Sequence, residues 1–232
     1  MKGLLISFDG LDASGKATQT RLLIERLRSQ NLTVHTFGTP DYTTPTGQEL
    51  RAYLQGKLDD WSAMPWQKKM RLFADNRAEH RQEVVAALAA GEIVVYDRYV
   101  PSSLTFITVE AKHQEAYRSR QEIHAEVRQA EYHANNMPQE DISIFLDVPP
   151  RLALTLLGDR KKQQQEPEEY TDQLAVQEEL YREYEHLIST GPNRYTRVMC
   201  VDQESLLPPE VIAGRVWQML TNRFPQLPIL PS

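Results

Sequence analysis

An α/β fold is predicted, a parallel β-sheet of about five strands with helices on both faces, and three observations predict it. Short apolar runs recur along the 232 residues, and such runs suit strands that are covered on both sides. Segments with helical spacing of apolar residues lie between them. The first run also leads directly into a loop bounded by glycines and then a helix start. In such sheets ligands bind beyond the carboxyl ends of the strands, so the chemistry is expected there.

In chain order, strands are expected at Leu4–Phe8, Leu32–Phe37, Ile93–Tyr96, Ile142–Leu146 and Arg197–Val201. The first helix is expected over Gly15–Ser29, where Leu23 and Leu27 stand four apart beside Leu22. One helix is expected over Pro65–Ala90, with Met70, Phe73, Ala74, Val84, Val85 and Leu88 as its apolar positions and Gly91 as its stop. Glu110–Asn136 is strongly charged and reads as a long exposed helix, open to a partner subunit. Gly158–Glu169 reads GDRKKQQQEPEE, either a solvated loop or a lid that closes on phosphate through Arg160, Lys161 and Lys162. Tyr170–Ile188 is a polar helix with Leu174, Leu180, Tyr184 and Leu187 at helical spacings, and Val211–Leu220 is the last helix, after Pro208 and Pro209. No repeat or domain-sized linker interrupts this order. Residues 1–223 are therefore expected to form one domain, with a lid over 158–169 and a proline-rich tail over 224–232.

Phe8–Thr18 reads FDGLDASGKAT, a phosphate loop (P-loop) between a strand and a helix. Gly10 and Gly15 let the backbone turn its N–H groups inward, and Lys16 adds positive charge near β- and γ-phosphates. The stretch expected to hold ATP is Gly10, Asp12, Ala13, Ser14, Gly15, Lys16, Ala17 and Thr18. The usual pattern puts Ser or Thr directly after the lysine to bind Mg²⁺. Here Ala17 stands in that place, and Thr18 projects about 100° further round the helix. The metal is then expected on phosphate oxygens, water and Asp97. Asp97 and Arg98 follow the third apolar run, at the carboxyl edge shared with the loop. A carboxylate there can hold water on Mg²⁺, and a guanidinium fork can grip phosphate oxygens. Asp12 puts negative charge beside a triphosphate, which calls for a sugar hydroxyl or an arginine against it and points to a second substrate.

Composition narrows the class. A net charge of −6 excludes general attraction to nucleic acid, so an anionic ligand must be drawn by local cations. The single Cys200 excludes an internal disulfide and fits a reducing cytoplasm. No apolar run approaches the roughly 18 residues of a membrane span, and no signal-peptide pattern precedes the first strand. The six histidines lack metal-ligand spacing.

These motifs, in this order and spacing, resemble the thymidylate kinases, which move a phosphoryl group from ATP to dTMP. The resemblance rests on FDGLDASGKATQ, DYTTPTGQELRAYL, LFADNRAEHR, VVYDRYVPSS and IFLDVPPRLAL, followed by DRKK and EEY. It implies a P-loop NTPase-type fold with a short lid, Mg²⁺ with ATP as donor, a cytoplasmic homodimer, and no nucleic-acid or membrane partner. It implies roles position by position: Lys16 on the donor's β/γ-phosphates with Thr18 nearby, and Asp12 on the 3′-hydroxyl of the acceptor sugar. Phe73 would stack on thymine and Arg77 would bond the base edge; four apart on one helix, they share a face. Arg98 would lie between donor and acceptor phosphates, Tyr42 at the acceptor phosphate and Tyr170 near the sugar. The catalytic set implied is Lys16, Arg98, Arg160 and Asp12, with Asp97 at the metal.

Some positions depart from the family pattern. Ala13 stands where some members carry a loop arginine, which leaves the lid, and Arg160 first, to supply transition-state charge. Ser103 and Phe106 stand where many relatives carry Asn or Gln toward the base and Tyr toward the sugar. Phosphoryl transfer needs aligned phosphates and neutralised charge rather than a general base, so no histidine is assigned to catalysis. Other readings of the loop remain: a kinase for another nucleotide or a deoxynucleoside, or a silent P-loop nucleotide-binding or switch protein.

Overall fold

The structure, a computed structural model, describes residues 3–164, 173–203, 205–225 and 227. Five parallel strands form one sheet: β1 (Leu4–Asp9), β2 (Val34–Gly38), β3 (Ile93–Asp97), β4 (Ile142–Asp147) and β5 (Tyr195–Met199). Their order is β2-β3-β1-β4-β5, so the fold is the predicted P-loop NTPase-type α/β arrangement. A two-residue antiparallel ladder, β6 (Val201–Asp202) with β7 (Ser205–Leu206), follows the last strand.

Helices cover both faces: α1 (Lys16–Ser29), α2 (Pro45–Leu54), α3 (Trp66–Ala78), α4 (Arg81–Ala89) and α5 (Val100–Gln114). They continue with α6 (Arg120–Arg128), α7 (Pro150–Gln164), α8 (Leu174–Thr190) and α9 (Pro209–Arg223). The alternation of side chains along β1 divides the core. Leu4, Ile6 and Phe8 pack with Leu23 and Leu27 of α1 and with Val216, Trp217 and Leu220 of α9. Leu5 faces the other way, into a layer with Val94 and Tyr96 of β3, Leu104 and Ile107 of α5, and Ile123 and Val127 of α6. Every strand residue from Leu4 to Asp9 is buried, which is why its sequence is apolar on both faces.

Three expected elements differ. The helix expected over Pro65–Ala90 is two helices, broken at Glu79 and His80. These two residues serve the chain after β2 instead: Glu79 accepts from the Thr46 backbone N–H (3.0 Å) and hydroxyl (2.8 Å), and His80 Nε2 meets Asp41 Oδ2 at 2.9 Å. Glu110–Asn136 is not one exposed helix. The chain turns after α5, restarts at Ser119 with a reciprocal cap to Glu122, and passes from α6 into a π-helical turn, Gln129–Ala134. Most of its charges point outward, but Glu110 and Glu131 are buried together with Ile123, His124, Val127 and Ala130. Of the segment expected to be a loop or lid, 158–164 is the end of helix α7; Lys and Arg are good helix formers, and one interior glycine is tolerated. The rest of that lid, 165–169, lies outside the described residues, as do Tyr170 and most of the tail.

Candidate active site

The carboxyl ends of β1 and β3 are polar: both strands run one residue beyond their apolar stretch, to Asp9 and Asp97. Asp9 is wholly buried and acts as the brace of the site. It accepts from Ser7 Oγ (2.7 Å), Ser143 Oγ (2.8 Å), Ser102 Oγ (2.6 Å), and the backbone N–H groups of Ser102 (3.1 Å) and Tyr99 (3.3 Å). A carboxylate satisfied by five donors ties β1 and β4 to the start of α5.

After Asp9 the chain enters the P-loop. Gly10 has φ +142°, and a Cβ there would stand 3.0 Å from Ser14 Oγ and 3.1 Å from the Leu146 carbonyl oxygen, so only glycine fits. Lys16 folds back, donating from Nζ to the carbonyls of Leu11 (2.6 Å) and Gly10 (3.2 Å). Burial, and then the charge of Arg98, push the Lys16 ammonium down to about 7 against the pull of Asp12, Asp97 and Asp9.

Arg98 has the left-handed backbone angle φ +67°, a costly conformation for a long side chain. Its N–H is held by the Phe8 carbonyl at 2.9 Å. The guanidinium donates to Gly10 O (3.2 Å) and pairs with Asp12 Oδ1. Of the two partners anticipated for Asp12, a sugar hydroxyl or an arginine, the structure supplies the arginine, and it is Arg98. Burial opposes ionisation of Asp12, but Arg98, Lys16, Arg160 and Lys161 outweigh it and hold the carboxyl below its usual range. Both Arg160 and Lys161 therefore act electrically on the loop from the end of α7; Lys161 is buried and Arg160 exposed. Burial raises the Asp97 carboxyl, with Lys16 and Arg98 only partly offsetting it.

Beside the loop lies a cavity of about 470 Å³, a size suited to a small ligand. It brings together Gly10, Asp12, Tyr42, Phe73, Arg77, Arg98, Ser103 and Phe106. Phe73 is half-buried and meets Phe106 edge-on at 5.7 Å and Trp61 at 6.1 Å. Arg77, one turn further along α3, is buried and donates from Nη2 to Ser103 Oγ at 3.1 Å. Tyr42 is an exposed residue at the cavity wall. Ala17 and Asp97 instead line a separate groove that also takes in Asp41 and His80. Ala13, with φ +57°, Ser14, Gly15 and Thr18 lie in the loop and first turn of α1. Tyr170 lies outside the described residues.

Four contributors escaped the sequence reading: Asp9, Ser102, Tyr184 and Glu131. Ser102 Oγ and Tyr184 OH meet at 3.1 Å on the cavity wall, and Glu131 pairs with Arg77 from the π-helical turn. An acid ending an apolar run, directly before Gly10, was the available signal for Asp9.

Fold and site together define a P-loop phosphotransferase type of protein, with a cavity of small-ligand size against the loop. Residues 8–204 match the family described as thymidylate kinase. A thymidylate kinase of Synechococcus sp. (strain JA-2-3B'a(2-13)) is 29% identical over 223 residues, 96% of each chain. One from Schizosaccharomyces pombe is 30% identical over 95% of this chain and 93% of its own, and one from Plasmodium falciparum is 29% identical over 80% and 77%. The chain belongs to the thymidylate kinase family.

Proposed function

We propose that this protein transfers the γ-phosphoryl group of ATP to dTMP, giving ADP and dTDP, and that Lys16, Arg98, Asp12 and the α7 cations act as the resemblance implies. The observation that carries this reading is the joined cavity: Phe73 and Arg77 at one part of its wall, Asp12 and Arg98 where it meets the P-loop. A base gripped by Phe73 and Arg77 would bring its 5′-phosphate toward Arg98, in line with a triphosphate cradled by Gly10–Lys16.

An oxygen of the dTMP phosphate attacks the γ-phosphorus, and the bond to the β-phosphate oxygen breaks, its electron pair leaving with ADP. The attacking oxygen is already ionised, so no base is needed. Lys16, freed from the Leu11 and Gly10 carbonyls, neutralises the donor phosphates, and Arg98 bridges to the acceptor. Arg160 and Lys161, already coupled electrically to Asp12, add charge from α7.

Magnesium fits this residue set. Among the described residues no group of three His, Cys, Asp or Glu side chains forms a metal cage, and Ala17 offers no oxygen. Mg²⁺ commonly keeps waters and phosphate oxygens with one or two carboxylates, and Asp97 would be the carboxylate that holds one such water. Bound with ATP, the ion supplies neutralising charge on the β- and γ-phosphates. The same reading takes residues 1–223 as one kinase domain, acting as a cytoplasmic homodimer. Among the described residues no helix is long and apolar enough to cross a membrane.

A coupled assay tests the reading: ATP and magnesium with dTMP, with other nucleoside monophosphates and nucleosides, and with no acceptor. ADP release that depends on dTMP is expected. Release without an acceptor, or only with a nucleoside, overturns it.

A further inference from the structure

Glu131 lies where the chain leaves α-helical geometry, in the π-helical turn Gln129–Ala134. Such turns are rare and are frequent at functional sites. Glu131 is 0% exposed and Arg77 1%, and Glu131 Oε1 accepts from Arg77 Nη1. An ion pair buried this deeply is a weak source of net stability, because desolvation offsets the attraction. Its geometry shows what it does instead. Arg77 Nη2 reaches Ser103 Oγ at 3.1 Å and the Tyr99 carbonyl at 3.4 Å, and the guanidinium lies 5.4 Å from the centre of the Tyr99 ring. Arg77 and Ser103 both line the cavity, and Arg77 Nε has no partner.

An uncompensated guanidinium in an apolar wall would favour an anion, whereas a nucleobase is neutral. Glu131 cancels that charge and leaves the N–H groups. Ser103 Oγ, already accepting from Arg77, keeps its own proton to give. With the Arg77 N–H groups and the Ser103 proton on offer, donors predominate at this wall, which suits a carbonyl oxygen better than an exocyclic amino group in the same place.

We propose that Glu131 is a positioning residue for base selection: it fixes and neutralises Arg77, so that Arg77 and Ser103 receive a base through a carbonyl oxygen. This rests on the cavity being the acceptor-nucleotide site.

The test compares Glu131→Gln, which keeps size and one carbonyl oxygen but loses the charge, with Glu110→Gln. Glu110 forms another buried pair, with Lys69; neither residue lines the cavity, and Lys69 meets it only through the Trp61 ring, 5.1 Å away. Arg77→Ala is the reference. kcat and KM are measured for dTMP, dCMP and ATP, with melting curves alongside. Glu131→Gln is expected to raise the dTMP KM about tenfold or more and to lower the dTMP/dCMP selectivity by a similar factor. Its ATP KM stays within about twofold, and Glu110→Gln changes melting alone. If Glu131→Gln does not fold, Glu131→Asp, with the charge kept and the reach shortened, is expected to shift the same ratios in the same direction. Unchanged KM and selectivity in the Glu131 variants, with a raised KM in Arg77→Ala, overturn the proposal alone. An unchanged dTMP KM in Arg77→Ala as well overturns the base-site reading, and the proposal with it.

Discussion

Lys16 gives a prediction that can be worked through in numbers. Its ammonium is pushed down to about 7 while the loop is empty, from an ordinary value of 10.5. A triphosphate replaces carbonyl acceptors with anionic oxygens and restores the charged form. The free amine is protonated to about 0.9, 0.5 and 0.1 at pH 6, 7 and 8, so ATP binding should take up about 0.1, 0.5 and 0.9 proton respectively. Affinity should therefore fall about tenfold per pH unit above 7. Stability of the empty protein has the opposite sign. Between about pH 7 and 10.5 the unfolded chain binds more protons at Lys16 than the folded one, so the cost this buried group imposes on folding shrinks as pH rises. Calorimetric titration of ATP in buffers of different ionisation enthalpy measures the uptake directly. Lys16→Arg, charged throughout, should show none of it. Uptake near zero at pH 8 in the wild type, or ATP affinity flat from pH 7 to 9, would refute the account of a neutralised lysine.

Asp9→Ala should leave five donors without their acceptor and cost about 3–5 kcal/mol, seen as a melting temperature lower by roughly 6–20 °C; a loss within about 2 °C would show that the brace is dispensable. Phe73→Ala should raise the dTMP KM about tenfold with the ATP KM unchanged, and equal effects on both substrates would move Phe73 from the base site to general packing. Arg160→Ala should lower kcat about 100-fold with little change in either KM. If Lys161→Ala does so instead, the buried cation is the one that meets the transition state.

The three central strands, β1, β3 and β4, were legible because burial on both faces demands nearly continuous apolar runs. The outer strands β2 and β5 are only partly buried and carry polar residues such as His35 and Arg197, so their bounds came out displaced by about two residues. The last residues of the central strands were less legible. Asp9 and Asp97 extend their strands although both are acidic, because at the carboxyl edge hydrogen bonds and nearby cations replace burial as the reason for being there. The break at Glu79 and His80 left no trace in the apolar spacing, since Ala74 and Val84 fit one helix as well as two. Its cause is a demand from Asp41 and Thr46, more than 30 positions earlier. Glu131 was hidden for the same reason: its partner is 54 positions away, and alone it reads as one more charge on a solvated helix. Of the site, the P-loop and the Phe73–Arg77 spacing were readable because they are local patterns. The meeting of Asp12 with Arg98, 86 positions apart, was foreseen only as a need for a sugar hydroxyl or an arginine.

The backbone at Arg98 carries a wider consequence. Position 98 holds a residue in a conformation glycine would occupy at ease, so the fold bears a local cost where the chemistry wants a long cation. Selection for turnover and selection for robustness pull against each other there. The surrounding scaffold, above all the buried Asp9 cluster, must hold enough surplus stability to keep that arginine where the fold alone would not choose to put it.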